Sequence, residues 1–287
     1  MIELRPVAKA CDPDDILREP AGDAWRLYWL GQAGFLLQYR DTRILIDPYL
    51  SDSLAAKYAS GEFPHSRLTP VPIDPSAMPP IDYVLCTHSH ADHMDPGTLP
   101  ALAGASPACR FVVPRAELGK ALECGVPEDR AVPVTTDERV ELGGGVVLEA
   151  VPAAHPDLRL DANGDYHCLG YVLSGGETCL YHSGDSIGYD GLVSRLKTRR
   201  IDLALLPVNG RDPYLESRGI IGNFTFEESA ALCRAAGISA LIPHHFGMFA
   251  ENTIDENELY AKVGELDGRP TCAKPVVGMG IEAVRTG

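Results

Sequence analysis

Apolar runs of strand length recur along the chain, separated by Gly, Pro and Asp. Trp25–Leu30, Phe35–Tyr39 and Arg43–Pro48 read as three strands, the first two joined across Gly31-Gln32-Ala33-Gly34. Ile81–Cys86 and Arg110–Pro114 follow as further strands. Helical spacing covers Pro96–Ala105 and Ala116–Cys124, the latter stopped by Gly125. Glu138–Leu142 and Val146–Ala153 predict a hairpin across three glycines, and His167–Leu173 with Thr178–His182 predict another strand pair. Ile201–Val208 is apolar throughout, as a strand buried on both faces should be. Thr225-Phe226-Glu227-Glu228 is a capping box opening a helix that runs to Gly237. Ser239–Pro243 is the next strand, Asp255 opens another helix, and Val276–Val284 offers a last strand.

Two stretches lack such patterning. Residues 1–24 are polar and proline-bearing, and predict a loosely attached arm ahead of a single domain over 25–287. Residues 49–80 form a long Pro-rich segment, of the kind that is either functional or mobile. Lying between the first strands and Ile81–Cys86, it is placed to act as a lid. Lys57, His65 and Arg67 are its candidate substrate contacts, with plain solvation the competing reading.

Strands alternate with helices, but hairpin-rich blocks also appear. That mixture fits an α/β (α+β) chain with two mixed sheets face to face and helices outside, an αββα sandwich. Hydrophobic content of 45% and charged content of 23% are ordinary for a globular protein. The net charge of −15 disfavours a nucleic-acid partner. No apolar run approaches membrane-span length, and no secretory signal is visible. The eight cysteines show no C-x-x-C spacing and predict reduced thiols in a cytoplasmic protein. A small-molecule substrate is the expected partner, with self-association left open.

The chemistry concentrates in Thr87-His88-Ser89-His90-Ala91-Asp92-His93, straight after a strand. Imidazole nitrogen and carboxylate oxygen are the donors that borderline divalent metals take. If the strand runs on, His88 and His90 share a face. Asp92 and His93 then lie where the chain turns, aimed at a second point nearby. The spacing suggests two adjacent metal positions.

H-x-H-x-D-H is the signature of the metallo-β-lactamase superfamily, which this stretch resembles at His88, His90, Asp92 and His93. The order of motifs resembles that family over about residues 25–285. Di-iron oxidoreductases of the fold usually carry glutamate where this chain has His90, so the resemblance implies a hydrolase. It also implies roles elsewhere. His155, after a strand, matches the third histidine ligand. Asp185, in Ser183-Gly184-Asp185, matches the aspartate bridging both metals, although capping the next helix is its alternative. Asp47 matches a supporting carboxylate, with a turn before Pro48 as the competing role. His182 is expected to support the site or simply pack.

Trp29-Leu30-Gly31, Tyr181–Ser186 and Ile242–Gly247 are similar to the UlaG-type branch, named for L-ascorbate-6-phosphate lactonase. Arg67-Leu68-Thr69-Pro70 is also similar to it. The resemblance implies a lactonase or ester hydrolase on a small anionic substrate, possessing two divalent ions, zinc or manganese. Catalytic roles fall to Asp92, which would orient the attacking water and accept its proton, and to the bridging Asp185. His182 is one candidate for protonating the leaving oxygen. A phosphodiesterase of phospholipase D type, or a binding protein without turnover, are the alternatives. Arg67, Arg211 and Arg218 are candidates for holding an anionic substrate. His244 and His245 are adjacent, so a continuing strand would send only one to the site. The branch pattern P-x-H selects His245 as ligand, with His244 packed behind it. The expected ligands are therefore His88, His90 and His155 at one position and Asp92, His93 and His245 at the other.

Overall fold

The computed structural model describes residues 2–10 and 21–286. In chain order the strands are β1 (Ile2–Ala10), β2 (Trp25–Gly31), β3 (Gly34–Tyr39), β4 (Thr42–Ile46), β5 (Tyr83–Leu85), β6 (Arg110–Pro114), β7 (Ala131–Val134), β8 (Arg139–Glu141), β9 (Val146–Pro152), β10 (Leu169–Gly175), β11 (Thr178–His182), β12 (Leu203–Pro207), β13 (Ala240–His244), β14 (Thr271–Cys272) and β15 (Met279–Arg285). The helices are α1 (Ser53–Lys57), α2 (Leu99–Ala105), α3 (Leu118–Glu123), α4 (Leu192–Arg199), α5 (Pro213–Ser217), α6 (Phe226–Ala236) and α7 (Glu256–Glu265).

Two sheets result, ordered β1-β15-β2-β3-β4-β5-β6-β7 and β14-β13-β12-β11-β10-β9-β8. Both are mixed. β4 to β7 run parallel in the first and β11 to β14 in the second; the antiparallel remainder comes from hairpins and from β15, which pairs with β1 and β2. The facing sides share one core, with Trp25, Leu27, Phe35 and Leu37 of the first sheet packed with Leu148, Tyr171 and Leu180 of the second. A second core lies under α2 and α3, where Leu99, Leu102 and Ala121 cover Leu45, Val84 and Phe111. On the far side α6 packs on β12 and β13. The αββα sandwich is thus present, and its elements follow their sequence signals. β12 is buried at every position, as its unbroken apolar run requires. α6 begins in the capping box of Thr225 and Glu228 and ends at Gly237 in a left-handed conformation.

The expected loose arm is instead a strand where it is described. Ile2–Ala10 pairs antiparallel with β15 and extends the first sheet, and Ile2 is buried in the core. Residues 11–20 of that arm lie outside the described residues. The 49–80 segment is likewise less bare than its composition implies. It holds α1 and a short 3-10 turn at Pro75–Ala77. Among the described residues every cysteine is free, Cys11 falling outside them, and no helix is long and apolar enough to cross a membrane.

Candidate metal centre

Parallel strands deliver most of the site from their carboxyl-terminal ends, the edge at which α/β sheets commonly bind ligands. β4 leads into Asp47, β5 into the 88–93 loop, β11 into Asp185 and β13 into His245. His155 arrives from the antiparallel β9.

Strand alternation does not place His88 and His90, because β5 stops at Leu85. Residues 88–93 form a tight loop in which the His93 and Met94 amides both donate to the His90 carbonyl. The bend gathers the rings. Centroids lie 4.5 Å apart for His88 and His90, 4.1 Å for His88 and His93, and 5.0 Å for His90 and His155. Three overlapping groups offer ligand atoms within 4.8 Å of one another: His88, His90 and His155; His88, His93 and Asp185; Asp92, His93 and His245. Asp185 lies between them. Its oxygens are 3.3 Å from His93 Nε2, 3.5 Å from His155 Nε2 and 3.1 Å from His245 Nε2.

β13 ends at His244, and His245 takes a left-handed backbone (φ 62°). The chain therefore turns between the two histidines. His245 enters the cluster, while His244 stacks on His182 at 4.7 Å with the rings 6° from parallel. Gly184 permits the turn before Asp185: its φ is 60°, and a Cβ there would meet the Thr87 side chain at 2.6 Å.

Asp47 is fully buried and orders two of the imidazoles. Its Oδ1 accepts the Thr87 amide at 2.8 Å, and its Oδ2 accepts the Thr87 hydroxyl at 2.6 Å. The same Oδ2 is 2.7 Å from His93 Nδ1, which must donate to it. Having given its proton to Asp47, the Thr87 hydroxyl can only accept from His88 Nδ1 at 3.1 Å. In their neutral forms both rings thereby carry the proton on Nδ1 and turn an Nε2 lone pair inward, the form that a cation would bind. His88 Nε2, His93 Nε2 and Asp185 Oδ1 are buried without a hydrogen-bond partner. Buried polar atoms are normally satisfied. Orphaned ligand atoms converging on one space, from a set of imidazoles and carboxylates, fit divalent cations.

The electrostatics divide the histidines. Burial depresses His88, His90 and His155, the last to about 4, so they stand neutral. Burial also pulls down His93 and His245, but Asp185 and Asp92 outweigh it and raise both, His245 to about 9. The same contacts overcome burial to hold Asp92 and Asp185 well below the usual carboxylate range.

Two participants carry no clear sequence signal. Gln32, buried in the β2–β3 turn, donates from Nε2 to Asp92 Oδ2 at 2.8 Å and lies 3.1 Å from His245 Nε2. Asp95 accepts from Ser53 Oγ at 2.7 Å and from the Gly97 amide at 2.9 Å, tying α1 to the histidine loop.

His90, Asp92, His155, Asp185 and His245 open on a cavity of about 240 Å³. The 49–80 segment supplies one wall through Leu54, Lys57, Tyr58 and His65. The three arginine candidates do not line it. Arg67 donates to the carbonyls of Thr69 and Tyr49. Arg211 is bidentate on Glu228, and Arg218 pairs with Glu62 at 3.1 Å. His182 cannot protonate a leaving group: its Nε2 donates to the Ala33 carbonyl, its Nδ1 accepts the Gly184 amide, and it is buried.

A family model described as a beta-lactamase superfamily domain matches residues 42–246, which include the whole cluster. The chain belongs to this superfamily. Among its relatives, a UPF0173 metal-dependent hydrolase of Pyrobaculum aerophilum is 26% identical over 239 residues, covering 83% of this chain and 91% of that protein. An uncharacterized protein of Mycobacterium tuberculosis is 31% identical over 191 residues, covering 65% of this chain but only 50% of that protein. The chain thus spans about half the length of its mycobacterial relatives. Two solved structures share the superfamily's fold at low identity. The isothiocyanate hydrolase from Delia radicum gut bacteria gives a TM-score of 0.69 at 19% identity over 89% of this chain and 98% of that one. Igni18, a metallo hydrolase from Ignicoccus hospitalis, gives 0.65 at 16% over 92% and 100%.

Proposed function

We propose that this protein is a metal-dependent hydrolase that opens small esters or lactones with two divalent ions. One observation carries the reading. Asp185 reaches His93, His155 and His245 at once, so a single carboxylate joins two ligand groups at the floor of one cavity. The name of the Pyrobaculum relative supports metal dependence and hydrolysis. Trp29-Leu30-Gly31 and Pro243–Gly247 support the finer placement with the lactonase branch.

Bound at these residues, the ions would supply polarisation of a carbonyl oxygen and activation of water near neutral pH. His88, His90 and His155 would hold one, and Asp92, His93 and His245 the other, with Asp185 shared. Asp92, its side chain 17% exposed and steadied by Gln32, borders the cavity. It is the carboxylate suited to orient the attacking water and take its proton. His65 lines the same cavity with Nδ1 donating to the Phe63 carbonyl at 2.7 Å, so Nε2 is the ring nitrogen that would take up a proton and, from the imidazolium, pass it to the leaving oxygen. Among the described residues Lys57 is the one lysine or arginine lining the cavity. Beyond the ions, Lys57 would supply the one cationic side-chain contact for an anionic group of the substrate.

Zinc and manganese both suit the donors, and the bound metal should follow supply. The test removes metal with a chelator, restores zinc or manganese separately, and presents lactones beside bis-p-nitrophenyl phosphate. Restored lactone turnover is expected. Phosphodiester turnover without lactone turnover overturns the substrate class. Full metal occupancy with turnover of neither overturns the hydrolase reading in favour of a binding protein.

A further inference from the structure

Asn252, in the lining of the cavity, ends a chain of three carboxamides. Asn223 Nδ2 donates to Asn209 Oδ1 at 3.2 Å. Asn209 Nδ2 donates in turn to Asn252 Oδ1 at 2.7 Å. Asn252 lines the cavity, and Asn223, at the other end, is wholly buried.

Local structure holds the chain of amides in place. Asn209 forms an antiparallel bridge with Thr225. The Asn223 amide donates to the Gly210 carbonyl at 2.8 Å, and the Gly210 amide to the Phe224 carbonyl at 3.0 Å. Gly222 lets the two segments close: a Cβ there would lie 2.3 Å from the Gly210 oxygen. Asn252 is steadied separately, through its amide on the Phe249 carbonyl. Asn209 therefore links two loops that approach the cavity independently.

Direction matters in such a chain. Each amide accepts on its oxygen and donates on its nitrogen, so neighbouring bonds polarise one another. With Oδ1 accepting from Asn209, Asn252 keeps both Nδ2 hydrogens for the cavity that it lines. In this orientation the buried Asn223 Oδ1 has no partner, and turning all three amides over would present Asn252 Oδ1 to the cavity instead, an arrangement that the substitution and titration below distinguish. A carboxamide N–H is neutral, and so suits a carbonyl or hydroxyl oxygen.

We propose that Asn252 is a specificity-determining residue whose Nδ2–H, fixed by Asn209 and Asn223, binds a neutral oxygen of the substrate beside the bond that is cleaved. The proposal rests on the ester or lactone reading, since those substrates carry such an oxygen. Asn209 and Asn223 act through Asn252 and are positioning residues.

A lactam is the appropriate probe, because it presents the carbonyl of a lactone and resists hydrolysis. Zinc-loaded full-length protein, labelled with nitrogen-15, is titrated with δ-valerolactam. The Asn252 side-chain amide signal, identified by its loss in Asn252→Asp, is followed. That substitution keeps an oxygen for Asn209 and removes the donor. The expected result is a saturable shift of the signal and about tenfold weaker lactam binding in Asn252→Asp, the scale of one lost hydrogen bond. Asn209→Leu should weaken binding by a smaller factor while zinc content stays unchanged. An Asn252 signal that does not move, no lactam binding by the zinc-loaded protein, or unchanged affinity in Asn252→Asp overturns the proposal. Lactam binding of the expected kind in a protein that turns over no lactone overturns the hydrolase reading alone.

Discussion

Replacing Asp47 with asparagine offers the most discriminating perturbation of the site. The substitution alters one atom and nothing in the packing, yet neither orientation of the new amide keeps both the hydrogen bonds of its neighbours and the tautomers of the two imidazoles. With nitrogen at the Oδ2 position, the amide donates toward Thr87 Oγ1 and His93 Nδ1. His93 must then accept on Nδ1 and carry its proton on Nε2, the atom that faces Asp185. The Thr87 hydroxyl, no longer needed by residue 47, turns to donate to His88 Nδ1, which moves that ring's proton to Nε2 as well. With nitrogen at the Oδ1 position the tautomers survive. The amide then confronts the Thr87 N–H, donor against donor, at a cost of about 1–3 kcal/mol for a buried unsatisfied group. Loss of such an orienting partner typically weakens metal binding about 10- to 100-fold. At about 1.4 kcal/mol per decade that is roughly 1.4–2.8 kcal/mol, comparable to the clash. Both routes therefore predict weaker zinc binding, because the clash must be met to preserve the ligand tautomers. Zinc affinity is read by competition with a fluorescent chelator, and stability of the metal-free protein by thermal melting. The expected pair of results is affinity reduced about 10- to 100-fold with a melting temperature close to wild type. A variant that melts several degrees lower yet binds both equivalents of zinc as tightly as wild type would refute the reasoning, leaving Asp47 as a turn carboxylate.

Other consequences are simpler to state. His245→Ala should lose metal and hydrolysis, whereas His244→Ala should keep most of its metal; equal losses on elemental analysis would show that the register is misread. His244 is fully buried with both ring nitrogens unpartnered, so His244→Leu should raise the melting temperature of the metal-free protein, by up to about 1–3 kcal/mol of stability per unsatisfied group removed; a lower melting temperature refutes this. His245, raised by Asp185 and Asp92 against burial to about 9, is protonated at neutral pH without metal, so zinc binding should release protons and tighten as pH approaches 9. Calorimetry in buffers of different ionisation heat reads the release, and affinity that is flat with pH below 9 rules it out. For the metal-free fold the signs oppose: the His245 contribution is fully present below its ordinary 6.5 and lost as pH rises through about 9, whereas His155, depressed by burial to about 4, costs stability as pH falls from 6.5 toward 4. Melting curves across that range should show a maximum between the two limbs.

What the sequence revealed of the site depended on how local each signal was. His88, His90, Asp92 and His93 are neighbours in the chain, so their density alone marks them. The geometry first inferred for them was nevertheless wrong in cause. β5 ends three residues before His88, and a bent loop, closed by two amides on the His90 carbonyl, gathers the rings. A continuing strand would send only one of His244 and His245 to the site, and the P-x-H resemblance singled out His245; in the structure the chain turns there with a left-handed backbone. His155 and Asp185 carry little local signal and came from the order of motifs.

The arginines show where local reading ends. Arg67, Arg211 and Arg218 lie in loops with the composition of substrate-binding segments, and a guanidinium near a site invites that role. What decides the matter is whether another group already holds each one. Three backbone carbonyls hold Arg67 from residues 49, 51 and 69, and Glu228 and Glu62 hold the others. These partners are distant in sequence for Arg211 and Arg218, and the Arg67 contacts require a particular loop conformation. Gln32 fails in the opposite direction: an amide in a hairpin turn gives no hint that Asp92, sixty residues on, will sit 2.8 Å away. Ligand residues must bring their own donor atoms, and so leave a mark in residue type. Groups that orient them or hold substrate are defined by which partners remain free after folding. That is why attention moves from arginine to Asn252, whose nitrogen is left open by a bond to Asn209 that only the folded loops create.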